Sequence, residues 1–525
     1  MIAAMGYTTG YNGTHPFEKP GDLYEDHHWL GMRAGCTLLG CAIVPFCFMT
    51  VWNFTHSITA SFLTGWLLVF DIGVIILNRY ILLDPILLFF ISGSFFSMSQ
   101  FRTVKTQFSV SWWTWLSVTG AMLAGAISVK FVGLFIVLYV GIFTIGQLWT
   151  ILGDLSQPFS NTIKHFLARA VCLIALPIVL YISIFYIHLT VLSKSGTGDG
   201  FYSSLFQSSL EGNRLYNASM PRDVAYGAKV SLKNHRTGGA YLHSHFHLYP
   251  EGLGAKQQQV TTYAHKDENN MFLIKKWNEE PPNNTDPEAV VDFVKNGDLV
   301  RLEHVNSRRN IHSHREPAPV SKRHFQVIIE FRFLYYVLKA FINMHSKMIL
   351  HIFFLSQVTG YGENGTGDAN DVWRLEIVGG REGEIVNTVT TRIKFHHYFV
   401  KCVLTASTKP LPKWGFEQGE VTCNPTVRDP NSMWNVEDNH FLKLPNSSVR
   451  DLAPSFISRF LESHQVMLQG NSGLKPKEGE LTSRPWEWPI NLRGQWFSGK
   501  NTFHLLSEII LLMLFNLFVT NHVVH

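Results

Sequence analysis

The sequence predicts two parts of different fold class, a multi-pass α-helical membrane region followed by an all-β domain. Three observations carry that reading. Of 83 charged side chains in 525 residues, only ten fall in the 159 residues between Arg33 and Val191. Apolar runs of about twenty residues, the length a helix needs to cross the hydrocarbon core, recur through that stretch. Beyond it, short alternating segments punctuated by Gly and Asn repeat three times. A composition of 46% hydrophobic and 16% charged residues is too apolar for one soluble globule. A net charge of +5 with no block of five like charges gives nucleic-acid binding no support, and that class is set aside.

Six spans are expected, at about 33–52, 58–77, 81–98, 113–129, 131–150 and 167–191. Basic residues are retained on the cytoplasmic side. Arg102 and Lys105 in loop 99–112, with Lys164 and Arg169 in segment 151–169, outweigh Arg79 and Lys130 in the opposite loops. That bias places the N-terminus and everything after residue 191 on the non-cytoplasmic side. The sequons at Asn217, Asn283, Asn364 and Asn446 all follow the last span, which agrees with that side. Cys36, Cys41, Cys47 and Cys172 lie in or beside spans. Cys402 and Cys423 are the one pair in the polar part, and one disulfide or two buried thiols both fit.

In the all-β part, YGAKVSLKN, YLHSH, QQVTTY and NMFLIKK are echoed by NGDLVRLEH, NIHSH, QVTGYG and NDVWRLEIV. They are echoed again by TTRIKFHH, CVLTAS, EVTCNP and NSMWNVED. Three copies of a four-element unit, at about 221–277, 290–377 and 382–439, predict a closed threefold β-trefoil over 221–439. Leu242 to Ile311 spans 69 residues, but Ile311 to the matching Cys402 spans 91. The excess is the 31-residue stretch 327–357, whose Glu330, Arg332, Lys339 and Lys347 make a poor membrane helix. A retained intron or a gene-model artefact is expected there, since Val codons begin with GT and a Gln codon can end in AG.

NRYILLDP at 78–85, the LHSH and IHSH repeats, LPKWGFEQGEVTC at 411–423 and HQVMLQGNSGLKPKEGELTSRPWEWPINLRG at 464–494 resemble the protein O-mannosyltransferases. The resemblance covers residues 6–499 apart from the insert. It implies a GT-C type glycosyltransferase bundle with a luminal MIR β-trefoil in the endoplasmic reticulum membrane. It also implies an enzyme that transfers mannose from dolichyl phosphate mannose to Ser or Thr hydroxyls of acceptor proteins, with inversion, as a heteromer with its paralogue. No tightly bound cofactor and no metal are expected. On this reading 1–32 belongs to the first luminal loop and 440–499 is a luminal family segment. Residues 500–525 form a divergent tail with at most one span. The family's catalytic Asp-Glu pair is expected upstream of residue 1, and Glu25 and Asp26 in DLYEDHHW do not match it. The competing class is a non-catalytic luminal protein that uses MIR repeats to bind carbohydrate or protein. Nothing in the spans resembles the inverted repeats of a transporter.

Transfer to a hydroxyl needs a base for its proton and cations for the departing phosphate. Arg33, Arg79 and Asp84 lie at a luminal membrane edge, where an ionisable side chain is a functional candidate. Phosphate binding is one role for the arginines, and pairing of Arg79 with Asp84 to anchor a helix end is the other. His243, His245 and His247 alternate along one strand. Because His312 and His314 recur with the repeat, a repeat-borne ligand pocket of Leu242, His243, His245, Ile311, His312 and His314 is expected rather than a metal site. A hydrogen-bonded scaffold is the alternative. Trp414 and Trp434 are expected to fill the trefoil core.

Overall fold

Where the apolar runs were expected, the chain is helical. The structure is a computed structural model describing residues 1–13, 27–235, 240–252, 256–279, 290–321, 356–474 and 484. Its described residues divide into two compact units, 1–191 and 192–474. In the first unit a short α1 (Ile2–Thr8) precedes α2 (Leu30–Thr55), α3 (Ile58–Val69), α4 (Ile72–Arg79) and α5 (Asp84–Thr103). Then follow α6 (Val110–Val129), α7 (Leu134–Gly153), α8 (Phe159–Ala170) and α9 (Leu176–Val191). Ser57, Asp71 and Ser109 start α3, α4 and α6 by accepting the backbone N–H of Ala60, Val74 and Trp112. Pro85 sits in the first turn of α5, where its missing N–H costs nothing. A π turn, Val171–Ala175, joins α8 to α9 just before Pro177, which cannot donate to the helical ladder.

Helices stand at all six expected positions, but among the described residues only three are long and apolar enough to span. They are Leu30–Thr55, Phe131–Gly153 and Phe159–Val191, with a fourth if α3 and α4, bent by 56°, count as one. The other two, α5 and α6, are polar where they pack. Ser92, Ser94, Ser97, Ser99 and Thr119 are buried, and Thr119 donates to Ser97 across the helix pair at 3.0 Å. Small hydroxyl side chains let helices approach closely and lower the hydropathy that marks a span. Arg169, counted above with a cytoplasmic loop, is instead buried in α8. Its guanidinium meets His165 Nδ1 at 2.9 Å and Gln147 at 3.3 Å beneath the rings of Phe101 and Trp112.

Among its described residues the second unit holds a short α10 (Ser204–Ser208), fourteen strands and a closing α11 (Phe456–Gly473). The edge pair β1 (Ser219–Pro221) and β14 (Asn446–Ser448) fastens the ends of the β region together. Three four-strand groups lie between. They are β2 (Lys229–Asn234), β3 (Tyr241–Leu248), β4 (Gln258–Tyr263) and β5 (Met271–Lys276); then β6 (Leu299–His304), β7 (Arg309–Pro317), β8 (Ser356–Tyr361) and β9 (Trp373–Ile377). The third is β10 (Ile393–His397), β11 (Val403–Pro410), β12 (Gly419–Asn424) and β13 (Trp434–His440). First and fourth strands pair in the cycle β2, β5, β6, β9, β10, β13 and back to β2. The middle strands form three hairpins, and β4, β8 and β12 pair with one another in a triangle.

Equivalent positions fill one apolar core. Phe272, Trp373 and Trp434, all buried, take equivalent places near the start of the fourth strands. Trp373 Nε1 donates to the Ile311 carbonyl at 2.8 Å and Trp434 Nε1 to the Leu404 carbonyl at 3.0 Å. The residue matching Ile311 in the third repeat is therefore Leu404, not Cys402, since this ring-to-carbonyl bond fixes the register. Trp434 is a core residue as expected, whereas Trp414 is half-buried at the edge against Tyr249. Cys402 and Cys423 are bonded, their Cα atoms 5.3 Å apart across the β11–β12 hairpin.

Nine residues separate Leu248 from Gln258 and eight separate Pro410 from Gly419, but thirty-eight separate Pro317 from Ser356. The excess thus falls in one hairpin connection. Most of the expected insert 327–357 lies outside the described residues, while Ser356 and Gln357 belong to β8 and pair with Cys423 and Thr422. Without the insert, Gln326 would occupy Gln357's place. The second repeat's β strands close as a hairpin despite the long connection.

Candidate functional site

In the helical unit, α2 crosses the junction of α4 and α5 so closely that side chains there must be small. Thr37 Oγ1 donates to the Asn78 carbonyl at 2.9 Å, and a methyl at Gly40 would overlap the Asn78 side chain. Cys36 Sγ approaches the Leu82 carbonyl at 3.7 Å. This crossing fixes where the three membrane-edge candidates stand. Arg33, one turn before Thr37, is half-buried with its guanidinium 5.6 Å from the Trp29 ring. Arg79 follows Asn78 at the C-terminus of α4 and is exposed. Asp84 begins α5, and its carboxylate accepts from Lys130 Nζ at 2.7 Å rather than from Arg79. Lys130 comes from the turn between α6 and α7. In the sequence Lys130 counts only as a topology charge, because nothing local ties it to a residue 46 positions away.

Arg33, Arg79 and the Asp84–Lys130 pair thus belong to the elements that meet in the corner where α2 crosses α4 and α5. Arginines in such a corner offer an anion paired donors. Glu25 and Asp26 lie outside the described residues.

In the β unit the histidines run from core to surface along β3, because the register shifts between Ser244 and Leu248. His243 is buried and hydrogen-bonded to Asn270 at 2.8 Å, with Asp267 at 3.4 Å. His245 is half-buried and His247 exposed, with ring centres 5.5 and 5.0 Å apart in series and Phe416 against both. Burial, aided by the flanking histidines, pushes the pKa of His245 down to about 4, and burial pushes His312 down to about 4 although Asp368 lies 3.4 Å away. Both rings are therefore neutral at neutral pH. His314 is half-buried beside His312, the ring centres 5.2 Å apart.

Leu242 and Ile311, expected to line the pocket, are completely buried core side chains and cannot touch a ligand. They take the inward position of their strands; of that set only His245 and His314 are partly exposed, with His243 and His312 buried behind them. Among the described residues no three His, Cys, Asp or Glu side chains are placed to hold a metal ion. Asn217, Asn364 and Asn446 are exposed; Asn283 lies outside the described residues.

A helical unit with span-length apolar segments, joined in one chain to a domain of three four-strand repeats, defines a membrane protein with a repeat-built β domain. Family models identify both parts. That for dolichyl-phosphate-mannose-protein mannosyltransferase matches 1–193, that for the MIR domain 240–445, and that for the C-terminal four TMM region of protein-O-mannosyltransferase 456–524. Family likeness thus runs through the tail after 499, which the sequence reading had set apart. The chain is 55% identical to Protein O-mannosyl-transferase 2 of Drosophila melanogaster over all of its length, and 50% identical to that of Danio rerio over 95% of it. It is 35% identical to dolichyl-phosphate-mannose–protein mannosyltransferase 3 of Saccharomyces cerevisiae over 93%. These alignments span 66%, 62% and 62% of those relatives, so the chain spans somewhat under two thirds of their length. A solved structure of the S. cerevisiae protein O-mannosyltransferase Pmt1-Pmt2 complex bound to the sugar donor covers all of the chain with a TM-score of 0.78 at 29% identity; the chain covers 70% of it. The chain belongs to the protein O-mannosyltransferase family.

Proposed function

We propose that this chain is a subunit of an enzyme that transfers mannose from dolichyl phosphate mannose to Ser or Thr hydroxyls of proteins in the endoplasmic reticulum lumen. The observation that carries the reading is identity of 50–55% over at least 95% of the chain to two animal Protein O-mannosyl-transferase 2 sequences. On this reading the helical unit is a GT-C bundle of six spans from 33 to 191. The closed ring of six strands with its triangle of hairpins supports a β-trefoil MIR domain on the luminal side, where the exposed Asn217, Asn364 and Asn446 are accessible to glycosylation.

Arg33 and Arg79 hold the donor phosphate as it leaves, and Asp84 keeps Lys130 at the same corner. His243, His245, His312 and His314 form the repeat-borne pocket, neutral at luminal pH, for glycan or acceptor peptide. The paralogous subunit is the expected partner, which the heteromeric make-up of the solved yeast complex supports.

The test is co-expression with that paralogue in cells lacking the endogenous enzyme, reading mannose transfer from dolichyl phosphate mannose to an acceptor peptide. Transfer that falls at least tenfold in Arg33→Ala or Arg79→Ala supports the reading. Absence of transfer by this chain, alongside transfer by a full-length relative in the same cells, overturns the catalytic assignment. It leaves the non-catalytic binding class.

A further inference from the structure

The three repeats meet at three seams, β13 with β2, β5 with β6, and β9 with β10, and each seam carries a cation–carboxylate pair at the same outward position. The pairs are Lys233–Glu437 at 2.9 Å, Lys275–Glu303 at 2.6 Å and His396–Glu376. Two of the seams are covered by the chain itself. At the first, Glu437 is 1% exposed beneath segment 203–214. Ser204 donates its hydroxyl to the carboxylate at 2.6 Å, Arg214 donates at 3.2 Å and the Tyr241 hydroxyl closes it off. At the second, Glu303 and Lys275 are each 5% exposed beneath the turn at Gly365, where any larger residue would strike the Glu303 carboxylate.

The third seam is open. Glu376 is 46% exposed and His396 25%, and they face a cleft of about 550 Å³, a size typical of ligand sites. Its wall is firm, since Asn296 donates to the Arg381 carbonyl and accepts from the Ile377 N–H, both at 2.8 Å. Arg374 and Lys401 line it with donors, and the half-exposed Tyr398 ring lies beneath the Lys401 ammonium.

We infer that this third seam is a docking cleft for a polypeptide segment bearing Ser or Thr hydroxyls. The occupant is read from the equivalent seam, where this chain's own segment seats a serine hydroxyl on the matching carboxylate. At the open seam a hydroxyl donates to Glu376, Arg374 and Lys401 donate to main-chain carbonyls, and Tyr398 supports the adjoining side chain. The inference rests on the proposed acceptor class but not on catalysis, because docking needs no donor.

The test uses the full chain in detergent micelles with a labelled ten-residue Ser/Thr-rich peptide, its all-Ala counterpart, and fluorescence anisotropy. The Ala peptide is expected to bind about tenfold more weakly, as is the Ser/Thr peptide to Glu376→Gln or Arg374→Ala, with unchanged thermal midpoints. His245→Ala tests the histidine pocket separately, and Glu251→Ala, at an exposed turn outside both sites, should bind normally. A photo-crosslinker introduced at position 398 should capture the Ser/Thr peptide and lose it in the Glu376→Gln background. Equal binding of the two peptides, full binding by both seam variants, no capture at 398, or loss confined to His245→Ala would overturn the cleft, the last moving the peptide to the histidine pocket. Mannose transfer without such binding would overturn the cleft and leave the proposed enzyme standing.

Discussion

Removing one side chain from the sealed seam tests how the β unit is held together. Glu437 is 1% exposed and takes hydrogen bonds from Ser204, Lys233, Arg214 and Tyr241, while Lys233 is 5% exposed. Glu437→Ala strands the Lys233 ammonium in a buried site and leaves two hydroxyls without their acceptor. Breaking a buried pair from one side costs about 3–5 kcal/mol, because the surviving charge has no compensation. For a unit of this size that corresponds to a fall in Tm of about 6–20 °C. Lys233→Met combined with Glu437→Leu removes both charges and should recover part of the loss. Burial by itself would raise the Glu437 pKa, but the Lys233 ammonium and the hydroxyl donors overcome it and hold it below the usual carboxylate value. The stabilisation is therefore fully present above the unfolded carboxylate pKa of about 4.3 and is lost as pH falls through the lower folded value. The assay is differential scanning fluorimetry of the detergent-solubilised chain with near-UV dichroism of the β unit's tryptophans. A single-variant shift below about 1 °C, or a double variant no better than the single, would refute the reasoning.

His245, His304 and His312 are each held down to about 4, by burial first, so they contribute stability that is complete above the unfolded value of about 6.5 and lost as pH falls towards 4. Denaturant midpoints of the β unit should drop steeply between pH 6 and 4, by up to about 3 kcal/mol per pH unit from the two buried rings, His304 and His312, with half-buried His245 adding less, and a flat profile would contradict their burial. Trp434→Ala should cost about 3–5 kcal/mol by opening a void in the core and leaving the Leu404 carbonyl without its donor, whereas Trp434→Phe should cost less, as read by equilibrium unfolding. Deleting 327–357 shortens the connection between Pro317 and β8 to seven residues, close to the other two hairpins. It should stabilise the β unit by about 1.5 kcal/mol through the smaller loop-closure cost; a loss of folded yield on deletion would show the segment is needed.

The helices were legible because a span writes its length and apolarity into consecutive residues, and the histidine repeats because a threefold fold writes each element three times. Register and depth were less so. Whether Cys402 or Leu404 answers to Ile311 turns on a tryptophan ring reaching a carbonyl 30 residues back, and Leu242 reads as part of a motif while its side chain faces the core. Arg169 reads as a loop charge until α8 extends over it and buries it against Phe101 and Trp112. The Asp84–Lys130 pair and the Lys233–Glu437 pair join residues 46 and 204 positions apart, beyond any local pattern. The seams carry the same lesson further. Lys233, Glu303 and His396 occupy equivalent positions, and so do Glu437, Lys275 and Glu376. A repeat search that scores identity passes over them, because the charge order is reversed at one seam and a histidine replaces lysine at another. What the three repeats preserve there is complementarity between neighbours, a property of pairs that only the closed ring makes visible. Two of the pairs are sealed by the chain's own segments and one faces solvent, so nearly equal backbones present one open surface among three.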